Sequence, residues 1–318
     1  MIPNHPTLAD IREAAERIRP YIHRTPVLTC SSFNRLVNAE VFFKCENLQK
    51  TGAFKFRGAC NTIFLLPESQ AAGGVVTSSS GNHAQGVALS ARLRGIEAYI
   101  AMPETAPEVK KAAVAGYGGK LSLCEWSLEA LDATAERVAR ETGAIFIHPF
   151  NLYTSICGHG TAALELLEDV ADLDIVMAPV GGGGLLSGTA ISAAGLSPGT
   201  RVIGAEPEEA DDAYQSLKEG RIVPARPPTT IADGLRTSLG DLTFSIIRTH
   251  VSEIVTVSEE GIVAAMRYIW ERAKIIIEPS AAVPVAALME KKLPLIGQRV
   301  GVILSGGNAD LDKLPWTN

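Results

Sequence analysis

The chain has 318 residues, 46% of them hydrophobic and 20% charged, with a net charge of −6 and no basic block. That length is too great for one small core and predicts about two domains, or one large α/β unit with an inserted piece. The acidic balance excludes nucleic acid as the expected partner. Five scattered cysteines (Cys30, Cys45, Cys60, Cys124, Cys157), with no C-x-x-C pair, read as reduced and mostly buried thiols of a cytosolic protein. The N-terminus lacks the basic and apolar regions of a signal peptide.

In chain order, Thr7 caps a helix with Ile11, Ala14, Ala15 and Ile18 on its apolar face, ending at Pro20. Residues 25–29 are extended, Ser31 or Ser32 caps a short helix through Leu36, and 40–46 reads as a strand. Lys55 follows in Thr-Gly-Ala-Phe-Lys-Phe-Arg-Gly-Ala, and the helix it enters runs to Leu66. Between Gly74 and Ile147 strands (74–77, 98–102, 120–124, 144–147) alternate with helices. The first helix opens in the Ser78–His83 turn and ends at Gly95; the others span 107–115 and, capped by Ser127, the stretch to Thr142. This rhythm predicts a compact parallel unit. Residues 148–151 cross over to a helix over 161–167. A buried strand at 174–180 then delivers the chain to four glycines and a helix over 185–194. The uncharged stretch 175–200 therefore reads as strand, loop and helix, and not as a membrane span. A strand at 201–206, a Pro-rich surface excursion over 216–230, a strand at 253–257 and a Ser258-capped helix to Ala273 come next. The chain closes with a helix from Pro279 and a strand at 299–304. The expected fold is α/β, with two open twisted mostly parallel sheets flanked by helices. A small mobile domain (74–151) is inserted in a large one (1–73 and 152–318), with the site between them.

The chemistry gathers at three strand ends that are Gly/Ser clusters: 78–82, 181–184 and 305–308. Ligands of open α/β sheets bind there. Gly181, Gly182, Gly183 and Gly184, placed directly before a helix, make a nest of free N–H groups backed by the helix dipole. Such a nest holds a phosphate dianion without a basic side chain. Four glycines as a mere flexible turn would be costly in entropy. Ser79-Ser80-Gly81-Asn82 is a second donor-rich turn, suited to a carboxylate; a plain N-cap would account for one serine but not three. Lys55 sits between two aromatic residues, and desolvation makes an amine easier to deprotonate and nucleophilic toward carbonyls. On that stretch alone, a lysine snorkelling past core Phe residues fits as well. Together the three features suggest a phosphorylated aldehyde, pyridoxal phosphate (PLP), joined to Lys55 as a Schiff base, and an amino-acid substrate.

Lys-Thr-Gly-Ala-Phe-Lys-Phe-Arg-Gly-Ala, Ser-Ser-Gly-Asn-His, Pro-Val-Gly-Gly-Gly-Gly-Leu and Leu-Ser-Gly-Gly-Asn, in this order over nearly the whole chain, resemble the fold-type II PLP enzymes. Within these the chain is similar to the serine racemase and serine/threonine dehydratase family. The resemblance implies that Lys55 carries the cofactor and acts as base on one face of Cα. It implies that Phe54 packs by the ring, Asn82 bonds its 3-hydroxyl, and Gly181–Gly184 with Leu185 hold the phosphate. Ser305 meets the pyridine nitrogen. Ser79, Ser80, Gly81, Asn82 and His83 face the substrate, His83 more as a structural partner than as a base. A serine opposite the ring nitrogen favours loss of a β-leaving group, so the implied reaction is β-elimination of L-serine or L-threonine to a 2-oxo acid and ammonia. Ser80, where related dehydratases usually carry Ala, opens racemisation through an acid on the opposite face; a hydroxyl that only binds the substrate carboxylate is the other reading.

The run Glu206-Pro-Glu-Glu-Ala-Asp-Asp212 is by itself a solvated acidic loop. The resemblance makes Glu206, Asp212 and the Ala210 carbonyl ligands of Mg²⁺, Ca²⁺ or Mn²⁺. A homodimer in the cytoplasm is implied on the same basis. The sequence departs from the family at Ala53 (usually Ser), His159 (usually Gln), Ser78 (His in mammalian-type racemases) and Leu131 (Arg in those racemases). Loss of that Arg argues against a second substrate carboxylate unless Arg236 supplies the charge. A 3-hydroxyaspartate ammonia-lyase is the alternative, followed by a β-replacement synthase and a non-catalytic amino-acid sensor.

Overall fold

The computed structural model of the chain describes residues 5–106, 108–227 and 229–317. Pro107, expected to open a helix, and Pro228, within the expected excursion, lie outside the described residues. The strands are β1 (Val27–Thr29), β2 (Glu40–Cys45), β3 (Val75–Ser78), β4 (Ala98–Pro103), β5 (Lys120–Cys124), β6 (Ile145–Phe146), β7 (Ile175–Pro179), β8 (Arg201–Pro207), β9 (Glu253–Val257) and β10 (Arg299–Leu304). Among the described residues they form a six-stranded sheet, ordered β1-β2-β10-β7-β8-β9, and a four-stranded sheet, ordered β5-β4-β3-β6. All neighbours run parallel except β1 against β2. In sequence the smaller sheet lies wholly between β2 and β7. The larger sheet closes across it, with Glu40 opposite Arg299 and Cys45 opposite Leu304.

The helices are α1 (Leu8–Ile18), α2 (Ser31–Val37), α3 (Lys55–Leu65), α4 (Glu68–Ala71), α5 (Asn82–Arg94), α6 (Glu108–Gly116), α7 (Leu128–Thr142), α8 (Tyr153–Asp169), α9 (Gly184–Leu196), α10 (Asp212–Glu219), α11 (Asp241–His250), α12 (Glu259–Arg272) and α13 (Pro279–Met289). One apolar cluster packs α12 and α13 on the large sheet; another packs α8 and α9 on its other face. The smaller sheet has its own cluster around Val75, Val87, Ala88 and Ile100. Helix α9 is buried along Gly184–Ala193 and has no polar face, which accounts for the uncharged stretch there. Among the described residues no helix is long and apolar enough to cross a membrane.

Three expectations need correction. Ser31 is the first residue of α2, whose cap position is Cys30 with no side-chain bond. Helix α8 begins at Tyr153, well before 161; its first half is buried on several sides, so the sequence shows no amphipathic stripe there to mark it. There Gly158 lies against the Arg57 carbonyl and Gly160 against the Gly188 backbone, so α3, α8 and α9 meet almost backbone to backbone. The excursion over 216–230 begins only after α10, and α11 was not anticipated. Both helices start on caps that local pattern does not reveal. Glu206 accepts the N–H groups of Ala213 and Tyr214 (3.0 and 2.8 Å), and Asn151 Oδ1 accepts those of Leu242 and Thr243 (3.1 and 3.3 Å).

Candidate active site

Lys55 is the first residue of α3, and the loop after β10 sets its place. Ala53 bridges Gly306, and the Phe54 N–H donates to the Ser305 carbonyl at 3.0 Å. Lys55 Nζ donates to the Pro149 carbonyl at 2.7 Å, with the Phe54 and Phe150 rings 5.3 and 6.0 Å away. Among the described residues no carboxylate pairs with it, and burial lowers its pKa to about 8. Two residues on, Arg57 is fully buried and saturated. It donates to Glu46 at 2.7 and 2.8 Å, to Glu165 at 2.7 and 2.8 Å, and to Thr161 at 3.1 Å. Lys44 also binds Glu165, at 2.6 Å. This network fixes the base of α3 to β2 and α8.

The glycine loop joins β7 to α9, whose first N–H groups have no intrahelical partner. Each glycine is fenced. A Cβ on Gly181 would lie 2.8 Å from Leu235 Cα, and one on Gly182 would overlap the Phe150 ring. Gly183 has φ +84°, which disfavours a side chain, and Thr243 Oγ1 holds the Gly182 carbonyl at 2.9 Å. The carbonyl is thereby turned into a contact while the amides at the helix start stay free. Leu185 follows, nearly buried. This is the donor set a phosphate requires, so the residues present fit PLP.

Asn82 opens α5 after Gly81, which supplies no side-chain cap. Its Nδ2 donates to Glu278 Oε1 at 2.8 Å, and its Oδ1 accepts from Asn308 Nδ2 at 2.7 Å. Asn308 also gives its N–H to Glu278 Oε2 (3.1 Å) and its Nδ2 to the Thr51 carbonyl (2.8 Å). The Asn82 turn, the lysine loop and the loop after β10 are thus tied together. Glu278, buried and close to Asp233, is raised to about 7. In the same turn Ser78 Oγ donates to Asp132 at 3.3 Å and Ser79 Oγ accepts the Gly81 N–H at 3.3 Å; Ser80 is partly exposed between Ser79 and Gly81. His83 is buried, and its Nε2 meets the Ile147 carbonyl at 3.1 Å. Burial and nearby Lys55 lower its pKa to about 3, so it stays neutral and structural. Leu131 packs in an apolar cluster of the small sheet and brings no charge. Arg236 is exposed and spends Nε on the Thr230 carbonyl at 3.0 Å.

At the acidic loop, Glu206 caps α10, Ala210 is buried, and both Asp212 carboxylate oxygens are buried without a partner. Burial raises Asp212 to about 7 and Glu206 well above the usual range. An orphaned buried carboxylate with a second carboxylate near it suits a hard divalent cation. Among the described residues no group of three or more His, Cys, Asp or Glu side chains is placed to hold a metal ion. Sequence reasoning missed Glu278, Phe150 and Thr243; only the Glu-Pro helix start at 278–279 offered a signal.

The sequence family described as "Pyridoxal-phosphate dependent enzyme" matches residues 18–306. The chain is 51% identical over 311 residues to the beta-hydroxyaspartate dehydratase of Paracoccus denitrificans (strain Pd 1222), covering 98% of this chain and 99% of that one. The crystal structure of serine racemase from Dictyostelium discoideum superposes with a TM-score of 0.92 at 49% identity, covering 96% of this chain and 99% of the other. The crystal structure of T.th. threonine deaminase does so with a TM-score of 0.91 at 44% identity, covering 96% and 99%.

Proposed function

The chain belongs to the family of pyridoxal-phosphate-dependent enzymes, and from that premise we propose that it is an ammonia-lyase for small hydroxy amino acids. Its substrates are L-serine and L-threonine, with serine racemisation through Lys55 and Ser80. The observation that carries the reading is a single junction. Pro149 receives the Lys55 amine while the next residue, Phe150, packs on Gly182, so the amine and the phosphate cup share one wall.

The cofactor, when bound, supplies the electron sink that lets the α-hydrogen leave as a proton. Gly181–Gly184 and Leu185 would hold its phosphate by N–H groups, Phe54 would pack by its ring, and Asn82, steadied by Glu278 and Asn308, would bond its ring hydroxyl. Ser305 offers the ring nitrogen a hydroxyl and no carboxylate, which favours departure of the β-hydroxyl over long-lived charge on Cα. The Ser79–Asn82 turn and the start of α5 bind the substrate carboxylate. Lys55, with a pKa of about 8, is partly neutral near pH 7 and takes the α-proton from one face. Ser80 serves the opposite face. The released enamine hydrolyses to a 2-oxo acid and ammonia. The small unit (74–151) closes on the large one (1–73 and 152–318) to exclude water, and Glu206, Asp212 and the Ala210 carbonyl bind Mg²⁺ or a similar cation. A cytoplasmic homodimer follows on family analogy.

The 51% identity to a beta-hydroxyaspartate dehydratase favours a second reading, elimination from 3-hydroxyaspartate, with Arg236 meeting the second carboxylate. Assays for pyruvate, 2-oxobutyrate and oxaloacetate from the three substrates separate the two; no 2-oxo acid from any of them defeats both. Ser80→Ala is expected to lower D-serine formation by about 100-fold while elimination changes only a few-fold. Equal loss of both would assign Ser80 to carboxylate binding.

A further inference from the structure

His159 and Asp212 are the two side chains among the described residues whose two polar atoms are both buried without a partner, and His159 is the one at the candidate active site. It is 1% exposed, yet neither Nδ1 nor Nε2 has a hydrogen-bond partner. Burying unsatisfied polar atoms forfeits their solvation without return, and native proteins seldom leave them so. The ring is wedged at the meeting of three helices. A Cβ on Gly58 of α3 would overlap its Nε2 edge, and one on Gly184 of α9 would stand 3.1 Å from Nδ1. The Phe54 ring meets it edge-on, with centroids 4.8 Å apart. Two glycines thus make room for an imidazole between the lysine helix and the phosphate helix.

We propose that His159 is a side-chain ligand of the cofactor phosphate, donating from its Nδ1 edge into a cup otherwise built of backbone N–H groups. The inference rests on the reading that this cup holds the phosphate. Burial and neighbouring Lys55 hold the imidazole neutral, which suits a donor packed among apolar groups. In the Nδ1–H tautomer the neutral ring carries its one proton on that edge, so a dianion brought to the start of α9 gives it the acceptor it lacks. The arrangement also gives a reason for a glycine at 58, where a helix interior would otherwise favour alanine.

Binding of PLP and of pyridoxal, which lacks the phosphate, to the apo-protein tests this through the visible absorbance of the adduct. For His159→Leu the preference for PLP over pyridoxal is expected to fall by about tenfold or more, the loss of one hydrogen bond to a charged group. His159→Gln, which keeps an N–H, should retain the preference within about threefold on the same scale. Equal weakening of both vitamers in His159→Leu, or no weakening, would overturn the proposal and assign His159 to packing alone. If His159→Leu does not fold, wild-type protein with ¹⁵N-labelled histidine decides. One imidazole signal should move on adding PLP but not pyridoxal, and its failure to move overturns the proposal. A wild-type protein that forms no coloured adduct fails earlier, at the cofactor site itself.

Discussion

Lys55 and Arg57 stand two residues apart on one helix and meet opposite treatment. Arg57 is wholly enclosed, and burial alone would disfavour its charge, but Glu46 and Glu165 hold the guanidinium above its ordinary pKa. Lys55 is less enclosed by its neighbours yet has only a carbonyl and two rings, and its pKa falls to about 8. Burial therefore does not decide what a buried cation does; the number of anions supplied with it does. Within the first turn of α3 one cation is built to hold its charge and its near neighbour to give it up.

The sharpest way to break this contrast is to exchange the two losses. Lys55→Ala should lower turnover at least about 10³-fold, with the unfolding midpoint unchanged or raised. A variant that keeps near-normal turnover would remove Lys55 from the chemistry. Arg57→Met should do the reverse and cost about 3–5 kcal/mol of stability by leaving buried Glu46 without a cation and Glu165 with Lys44 alone, read from urea unfolding. Loss of less than about 1 kcal/mol, within the range of an exposed pair, would mean the network contributes little.

The smallest expected effect extends the comparison to an anion without a cation. Asp212 has its pKa raised by burial to about 7 from 3.8, so the folded state binds more protons than the unfolded one between those values. Raising pH across that window therefore costs stability. A divalent cation must displace the proton below about 7 and need not above it. Mg²⁺ or Mn²⁺ should stabilise the fold more at pH 8 than at pH 5.5, by about 2 kcal/mol when the ion is near 100-fold above its dissociation constant, read from the shifts in melting temperature. Asp212→Asn should abolish the difference. A shift independent of pH, or retained in Asp212→Asn, would move the cation elsewhere.

What the sequence disclosed and what it hid follow the same division between local and distant partners. Strand ends rich in Gly and Ser are local chemistry, and the loops after β3, β7 and β10 stand at the strand ends where the sequence placed them. The cap of α11 comes from Asn151, 91 and 92 residues from the amides it accepts, and no window along the chain contains that information; the cap of α10 comes from Glu206, 7 and 8 residues before its amides but across a turn that breaks the usual capping spacing. Helix α8 hid its first half for a related reason, since Gly158 and Gly160 face other backbones and leave no polar stripe. Glu278 was hidden similarly, because its meaning lies in Asn82, 196 residues away. His159 was visible as an odd residue between two glycines, but its lack of partners became apparent only once α3 and α9 were placed around it.

The pairing of β2 with β10 has a consequence for synthesis. A growing polypeptide that has left the ribosome through Phe146 already holds all four strands of the smaller sheet, which can assemble from contacts close along the chain. The larger sheet must wait, with Val41 and Phe43 lacking their neighbour until the strand ending at Leu304 has been translated. For most of translation β2 is an open apolar edge of the kind chaperones guard. A ribosome stalled short of residue 299 should therefore display a folded inner unit on an unfinished, adhesive frame.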